Sequence, residues 1–465
     1  MSAKKSQVVK ATSKIIKKPP ATDAESKLEK QISYNFDANA HTPLCSEAMH
    51  AVGNYINMAI NPGSDSKTAR PVKKMIQDSI DGILALCHTS TADYTCVFTS
   101  GATESNSFVL RSVVKAFNRK AAEHNLHIKP HVITSSTEHN SILSCLEDLE
   151  KSGEVEVTYI GPTIYGNIKA SDIKAAIKKN TCLISIIYAG NELPIINNIT
   201  DIATVARENN IPLHTDAVQI FGKYPVRLDI LKLDALTATA HKFGGPLGIG
   251  VVILKNKFID SYELTGEING TQQCGLRGGT ENPAGIAGFA AALKASHKNR
   301  QKKTEKMMMF RMKLIDALNG HIPFVPYENY INETKHGPLE LVSLGPPLKN
   351  AADGFLLSNT VLLSVAKNVG KPFCNVLLKH FLDAAGCVVS IGSACLTKNK
   401  SASHVLTAIK APDVIKRGVI RISFHDKNDN ASVDFLVKKI IDGIKKQCSD
   451  IESQIEKQGL TLFAK

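Results

Sequence analysis

The chain has 465 residues, enough for more than one hydrophobic core, and its 43% hydrophobic and 21% charged content is that of an ordinary globular protein. No apolar run approaches the roughly 18 residues that cross a bilayer. No short apolar core follows the first positive charges either, so neither a membrane span nor a secretory signal is expected. The formal charge of +13 is uneven: residues 1–30 hold eight lysines against three acids, which leaves +8 for the remainder. Such an excess is unremarkable in an enzyme that handles anions. Residues 1–30 read as a disordered, solvated tail, or as a contact for nucleic acid or an acidic partner. They lack the arginines usual in a mitochondrial presequence. No nucleic-acid-binding motif stands elsewhere. The ten cysteines include no Cys-x-x-Cys pair. Cys96, Cys145, Cys182, Cys374 and Cys387 lie in apolar runs and read as buried thiols, which suits a reducing, cytoplasmic setting.

Folding proper is expected from about Tyr34. A strand over 94–100 is broken by Gly101 and followed by a helix over 103–117. A strand over 131–135 precedes a helix over 139–150. A strand over 154–160 leads to a short helix over 172–178, capped by Ser171. A wholly apolar strand over 181–189, a helix over 200–209 and a short strand over 212–215 follow. The run Thr237-Ala-Thr-Ala-His-Lys242 then delivers a lysine at a strand end, with glycines after it and another apolar run over 248–254. Repeated strand–helix units imply a mostly parallel sheet covered on both faces. From 282 to about 318 the chain reads as helix. Residues 320–356, with five prolines, read as one long irregular loop. A smaller α+β lobe follows: strands over 361–365, 388–391 and 419–424, a helix over 373–385, and a closing helix from Ser432. The expected divisions are a tail (1–30), a large lobe (31–290, its first residues joining the small lobe or an interface) and a small lobe (291–465).

Five segments carry candidate chemistry. Thr99-Ser-Gly-Ala-Thr-Glu-Ser-Asn106 joins a strand to a helix; its small residues and unpaired amides would receive a phosphate, or it is a plain helix start. In Thr137-Glu-His139 the histidine could stack on a flat ring and move protons, or be structural. In His214-Thr-Asp216-Ala-Val-Gln219 the acid among apolar neighbours needs a cation such as a protonated pyridine, or caps a helix. Asn191 follows an apolar strand and could equally be a turn residue. Lys242 could hold an aldehyde as a Schiff base, or be a surface lysine beside a hairpin turn. All fall at strand carboxyl ends, where parallel sheets bind ligands. Together they describe a pyridoxal phosphate site.

With these motifs, and with Asp37-Ala-Asn-Ala-His-Thr-Pro43, Leu276-Arg-Gly-Gly-Thr-Glu-Asn282, Gly392-Ser-Ala-Cys395 and Ile420-Arg-Ile-Ser-Phe424, the chain resembles the NifS-like cysteine desulfurases. These belong to the class-V aminotransferases of fold-type I, and the resemblance spans about Tyr34 to Gln447. It implies an α/β fold: a large domain with a mostly parallel central sheet plus a smaller α+β domain. By the resemblance, Lys242 holds pyridoxal 5'-phosphate, Asp216 meets the pyridine nitrogen, Gln219 the ring hydroxyl, and His139 stacks on the ring. Ala102, Thr103, Thr239 and His241 hold the phosphate. Thr280 reaches the phosphate of a second subunit, which implies a homodimer. Asn191 and Arg421 orient the substrate carboxylate. The Cys395 thiolate takes sulfur from L-cysteine as a persulfide, releasing alanine, and passes it to an acceptor such as an iron–sulfur scaffold or a tRNA-thiolation relay. Out of context a structural cysteine would be the commoner reading of Cys395; its small, polar surroundings fit a movable thiol.

The chain departs from the family pattern in places. Asn269-Gly-Thr-Gln-Gln-Cys-Gly275 lacks a usual Glu-Arg pair, Lys67 stands at a usual histidine, Asn191-Glu-Leu-Pro194 is altered, Ile391 replaces a serine, and 337–357 reads as an insertion. None removes a catalytic residue. The competing functions are a selenocysteine lyase or other pyridoxal phosphate lyase or transaminase, and a catalytically weak scaffold that keeps the fold.

Overall fold

The computed structural model describes residues 31, 34–346, 355–391 and 403–457, with side chains to 449. The central sheet has seven strands: β1 (Tyr94–Thr99), β2 (His131–Ser135), β3 (Glu156–Ile160), β4 (Thr181–Ser185), β5 (Leu213–Asp216), β6 (Ala235–Thr239) and β7 (Gly250–Lys255). Their order is β1-β7-β6-β5-β4-β2-β3. Only β7 runs against its neighbours, pairing antiparallel with both β1 and β6. Gly250 therefore lies opposite Thr99 on one side and Thr239 on the other. Every residue of β2, β5 and β6 is buried, the two-sided covering that a strand among helices requires.

A second sheet, in the order β11-β10-β9-β8, is built from β8 (Phe324–Pro326), β9 (Leu339–Leu344), β10 (Thr360–Lys367) and β11 (Val419–Ser423). The segment after Tyr34 joins it through bridges from Asn35 to Val388 and from Asp37 to Ser423. One 37-residue helix, Pro283–Asn319, serves both cores. Its Ile286, Phe289 and Leu293 pack in the core under the large sheet. Its Met307, Phe310, Leu314 and Leu318 pack with the second sheet. Proline at its first turn and Asn282, whose Oδ1 accepts the Gly285 amide at 2.9 Å, fix where it starts.

Several expectations are corrected. Residues 320–356 are not one irregular loop: β8, the helix Tyr327–Asn332 and β9 lie within them. The prolines misled because Pro326 ends a three-residue edge strand and Pro338 directly precedes β9, positions where a missing amide costs little. Ser171 does not cap its helix, which runs Ala170–Ala175 with Lys169 before it and no side-chain cap. The apolar run after Thr181 is strand only to Ser185; beyond it, Ala189 forms a single bridge to Ile196. Residues 388–391 make isolated bridges rather than a strand. Cys374 is half-buried, whereas Cys96, Cys145, Cys182 and Cys387 are buried free thiols. No helix among the described residues is long and apolar enough to cross a membrane.

Candidate active site

The strands β1, β2, β4, β5 and β6 end on the same side of the sheet, and the segments after them converge there. After β6 the chain makes one tight turn, Ala240–Lys242. Gly245 closes that turn; a Cβ on it would meet the Ala240 Cβ at 2.5 Å. The turn aims Lys242 at the N-terminal segment, where its Nζ donates to the carbonyls of Asn39 and Ala40, each at 2.7 Å. Burial, and then the Arg421 charge, lower its pKa to about 8 against the pull of Asp37 and Asp216. An amine with a pKa near 8 keeps a sizeable neutral fraction at physiological pH, and that fraction can act as a nucleophile and a base.

Asp216, at the end of β5, is 3% exposed. Its Oδ2 accepts from Asn106 Nδ2 at 2.9 Å and its Oδ1 from the Val218 amide at 3.0 Å. Among the described residues no cation lies within ion-pair distance of it. Asn106, from the buried face of the helix Ala102–Glu123, also donates to Ser141 Oγ at 2.9 Å, while its own Oδ1 is buried without a partner. His139 stands exposed at the crevice and caps the helix Asn140–Lys151, its Nδ1 accepting the Ser141 amide at 3.1 Å. That bond leaves the ring proton on Nε2. Crowding by the surrounding protein lowers the His139 pKa.

Gln219 is buried; its Nε2 donates to the Asn39 carbonyl at 3.1 Å, and its Oε1 accepts from Lys223 Nζ at 2.8 Å. Thr239 is buried, donating to the Ile249 carbonyl at 3.0 Å, with His241 Nδ1 at 3.2 Å. Burial and Lys242 hold the His241 pKa near 4, so the ring is neutral. Ala102 and Thr103 open their helix directly after Gly101, with Thr103 exposed. Arg421, on β11, donates from Nη2 to Asp37 Oδ1 at 2.6 Å and from Nη1 to the Asn191 carbonyl at 2.8 Å; its Nε is buried without a partner. Thr280 is exposed. Cys395 lies outside the described residues, but the residues flanking it do not. Ser390 pairs with Arg421 through two backbone bonds, of 3.1 and 2.7 Å. Ser403 Oγ donates to Glu192 Oε2 at 2.6 Å, and His404 Nε2 lies 2.9 Å from the Glu138 carbonyl.

Sequence reasoning assigned nothing to Asn39, Asn106, Lys223 or Glu192. Asn39 and Asn106 stood inside the quoted motifs, and the one available signal was a polar residue at a position due to be buried.

The class-V aminotransferase family matches residues 34–334. The cysteine desulfurase IscS of Dictyoglomus turgidum is 32% identical over 409 residues, 87% of this chain and 93% of the relative. The chain belongs to the class-V aminotransferases, as one of their cysteine desulfurases. The IscS of Methanosarcina thermophila is 30% identical over 411 residues, 88% of this chain and 91% of that one. A solved NifS-like protein superposes with a TM-score of 0.73 at 26% identity, covering 89% of this chain and 99% of that structure. SspA, solved in complex with cysteine, superposes with a TM-score of 0.64 at 29% identity, covering 84% and 98%. As a cysteine desulfurase the chain uses pyridoxal phosphate and takes cysteine as substrate. Its residues fit that cofactor: Asp216 is a buried carboxylate with no ion pair among the described residues, beside a lysine of lowered pKa.

Proposed function

We propose that this desulfurase forms its persulfide on Cys395 and passes the sulfur to an acceptor protein. Lys242 would hold the cofactor, Asp216 its pyridine nitrogen and Gln219 its ring hydroxyl. His139 would stack on the ring, and Ala102, Thr103, Thr239 and His241 would hold the phosphate. Bound pyridoxal phosphate supplies an electron sink for bonds at the substrate's α-carbon. Arg421, with Asn191, binds the cysteine carboxylate through its planar fork. Lys242, neutral above about pH 8, takes the α-proton. His139 keeps Nδ1 tied to the Ser141 amide, which leaves its proton on Nε2. The Cys395 thiolate attacks the substrate sulfur: the S–S bond forms, the Cβ–S bond breaks, and the electron pair left on Cβ takes a proton to give alanine. The acceptor, an iron–sulfur scaffold or a tRNA-thiolation relay, then takes the outer sulfur by attack of its own thiolate.

The observation that supports this reading is the anchoring of both flanks of 392–402 at the site. Ser390 is tied to the carboxylate-binding Arg421, and Ser403 and His404 are tied to Glu192 and Glu138, the latter next to His139. The test is Cys395→Ser. The variant keeps the visible absorption of bound cofactor but releases no alanine from cysteine, and only wild type gains a persulfide by mass. Alanine release at the wild-type rate overturns it. We also propose lobes at 31–290 and 291–465, a homodimer in which Thr280 reaches the neighbour's cofactor phosphate, and a reducing, cytoplasmic setting suited to the buried free thiols. Thr280→Val should weaken cofactor retention only in the dimer.

A further inference from the structure

A cavity of about 270 Å³ opens beside Lys242. Lys242 lines it, but Asp216, His139, Thr103, Thr239 and Arg421 do not. Its walls come from the segment after Thr42, from the middle of the long helix Pro283–Asn319 and from the turn after β11. Five basic side chains line it, Lys223, Lys242, Arg300, Lys303 and Lys427, of which Lys242 would be taken up by the cofactor in the loaded protein. Against them stand two carboxylates, Glu47 and Asp426. Asp426 is already paired with Lys303 at 3.0 Å, and Glu47 is exposed at the rim, bound to Ser46 Oγ at 3.0 Å. Arg300 has no carboxylate among the described residues; its Nη1 lies 3.3 Å from His297 Nδ1. Lys223, at the inner end, gives one hydrogen bond, to the neutral Gln219 side chain. Burial, and then the repulsive charges of Lys242 and Arg421, bring its pKa down to about 7, so a nearby anion would restore its charge. Neutral donors complete the floor: Tyr224 Oη lies 3.0 Å from Ser358 Oγ.

A concave, half-enclosed space with a surplus of positive charge stabilises an anion more strongly than a flat surface would, because the low-dielectric walls focus the field. Lys223 and Arg300 have donors to spare, and burying an unopposed cation is costly until an anion offsets it. We propose that this cavity binds a small divalent anion, an inorganic phosphate or a dicarboxylate, between Arg300, Lys303 and Lys223, beside the cofactor lysine. Anion binding there does not depend on persulfide formation at Cys395.

The test is calorimetric titration of the cofactor-loaded protein, so that the cofactor's own phosphate fills its cradle. Inorganic phosphate and succinate are titrated separately at ionic strength held constant with chloride. Saturable binding of one anion per chain is expected, and which anion binds tells an oxyanion site from a dicarboxylate site. Arg300→Gln should weaken it at least tenfold, while Lys294→Gln, on the same helix outside the cavity, should leave it unchanged. Lys427→Gln, at the exposed rim, serves if Arg300→Gln does not fold, and should weaken binding severalfold. The bound anion should also raise the midpoint of thermal unfolding in wild type. Heat that never saturates with either anion, or binding indifferent to Arg300→Gln, Lys303→Gln and Lys427→Gln, overturns the proposal. Cys395→Ser protein should bind the anion with the wild-type constant, so a failure of the persulfide reading leaves this result intact.

Discussion

Arg421 reaches from the second sheet to Asp37, 2.6 Å away, and this ion pair occupies one arm of the fork proposed to receive the substrate. A carboxylate arriving there must share the guanidinium or displace Asp37. A hydrogen bond to a charged group is worth about 1.5–3 kcal/mol. Arg421→Lys, which keeps the charge but loses the fork, should therefore raise KM for cysteine by about 10–100-fold with a smaller change in kcat. Steady-state alanine release measures the split. Asp37→Asn removes the competitor and should lower KM or leave it unchanged.

The Lys242 amine, with its pKa near 8, should load cofactor in a pH-dependent way. Only the neutral amine attacks an aldehyde, so the loading rate of apoprotein should climb up to about pH 8 and level off above it. Arg421 is the second cause of the lowering. Arg421→Ala should accordingly move the inflection to higher pH, as followed by absorbance after mixing.

Glu138 offers a stability test. It is buried, takes the Ser135 hydroxyl at 2.5 Å and the Ile187 amide at 2.9 Å, and has an Oε2 without a partner. Burial raises its pKa from 4.5 to about 8. Its contribution is thus complete below about pH 4.5 and is lost as pH rises through about 8. Glu138→Gln imitates the protonated acid. It should match wild type near pH 4.5 and exceed it above pH 8 by up to about 5 kcal/mol, since 4.5 to about 8 spans about 3.5 pH units at about 1.4 kcal/mol each. Urea unfolding at the two pH values checks this.

Gly250 supports the start of the helix Ala102–Glu123 from the neighbouring strand. A Cβ there would meet the Gly101 carbonyl carbon at 2.5 Å and Thr99 Oγ1 at 2.9 Å. Backbone cannot yield cheaply, and overpacking of this kind costs about 1–3 kcal/mol. Gly250→Ala should raise the cofactor dissociation constant about tenfold or more, as equilibrium dialysis would show.

Ser403 both caps the helix His404–Ala408, accepting the Leu406 amide at 3.3 Å, and holds Glu192. Ser403→Ala should slow alanine release about 3–10-fold while cofactor absorbance and KM stay put, because the tether to Glu192 and the cap beside the segment bearing Cys395 are lost together.

Much of the large sheet was legible, because most of its strands are short apolar or β-prone runs followed by a small or polar residue at the carboxyl end. Lys242, Asp216 and His139 could be placed at one edge for that reason alone. What stayed hidden depends on partners remote in sequence. Nothing local marks Asn39 as an acceptor for both Lys242 and Gln219, or Lys223 as a cation without an acid. Nor does the sequence show that β7 reverses to bring Gly250 between Thr99 and Thr239, since a buried antiparallel strand reads like its parallel neighbours. Proline density concealed β8 and β9, because the rule against proline in strands is relaxed at an edge.

The long helix Pro283–Asn319 has a consequence for how the chain comes apart. Since its first turns are mortared into one core and its last turns into the other, neither half can melt without stripping apolar surface from a neighbour that is still folded. A chain severed near residue 300 would yield two fragments that are each sticky alone and soluble only when they find one another.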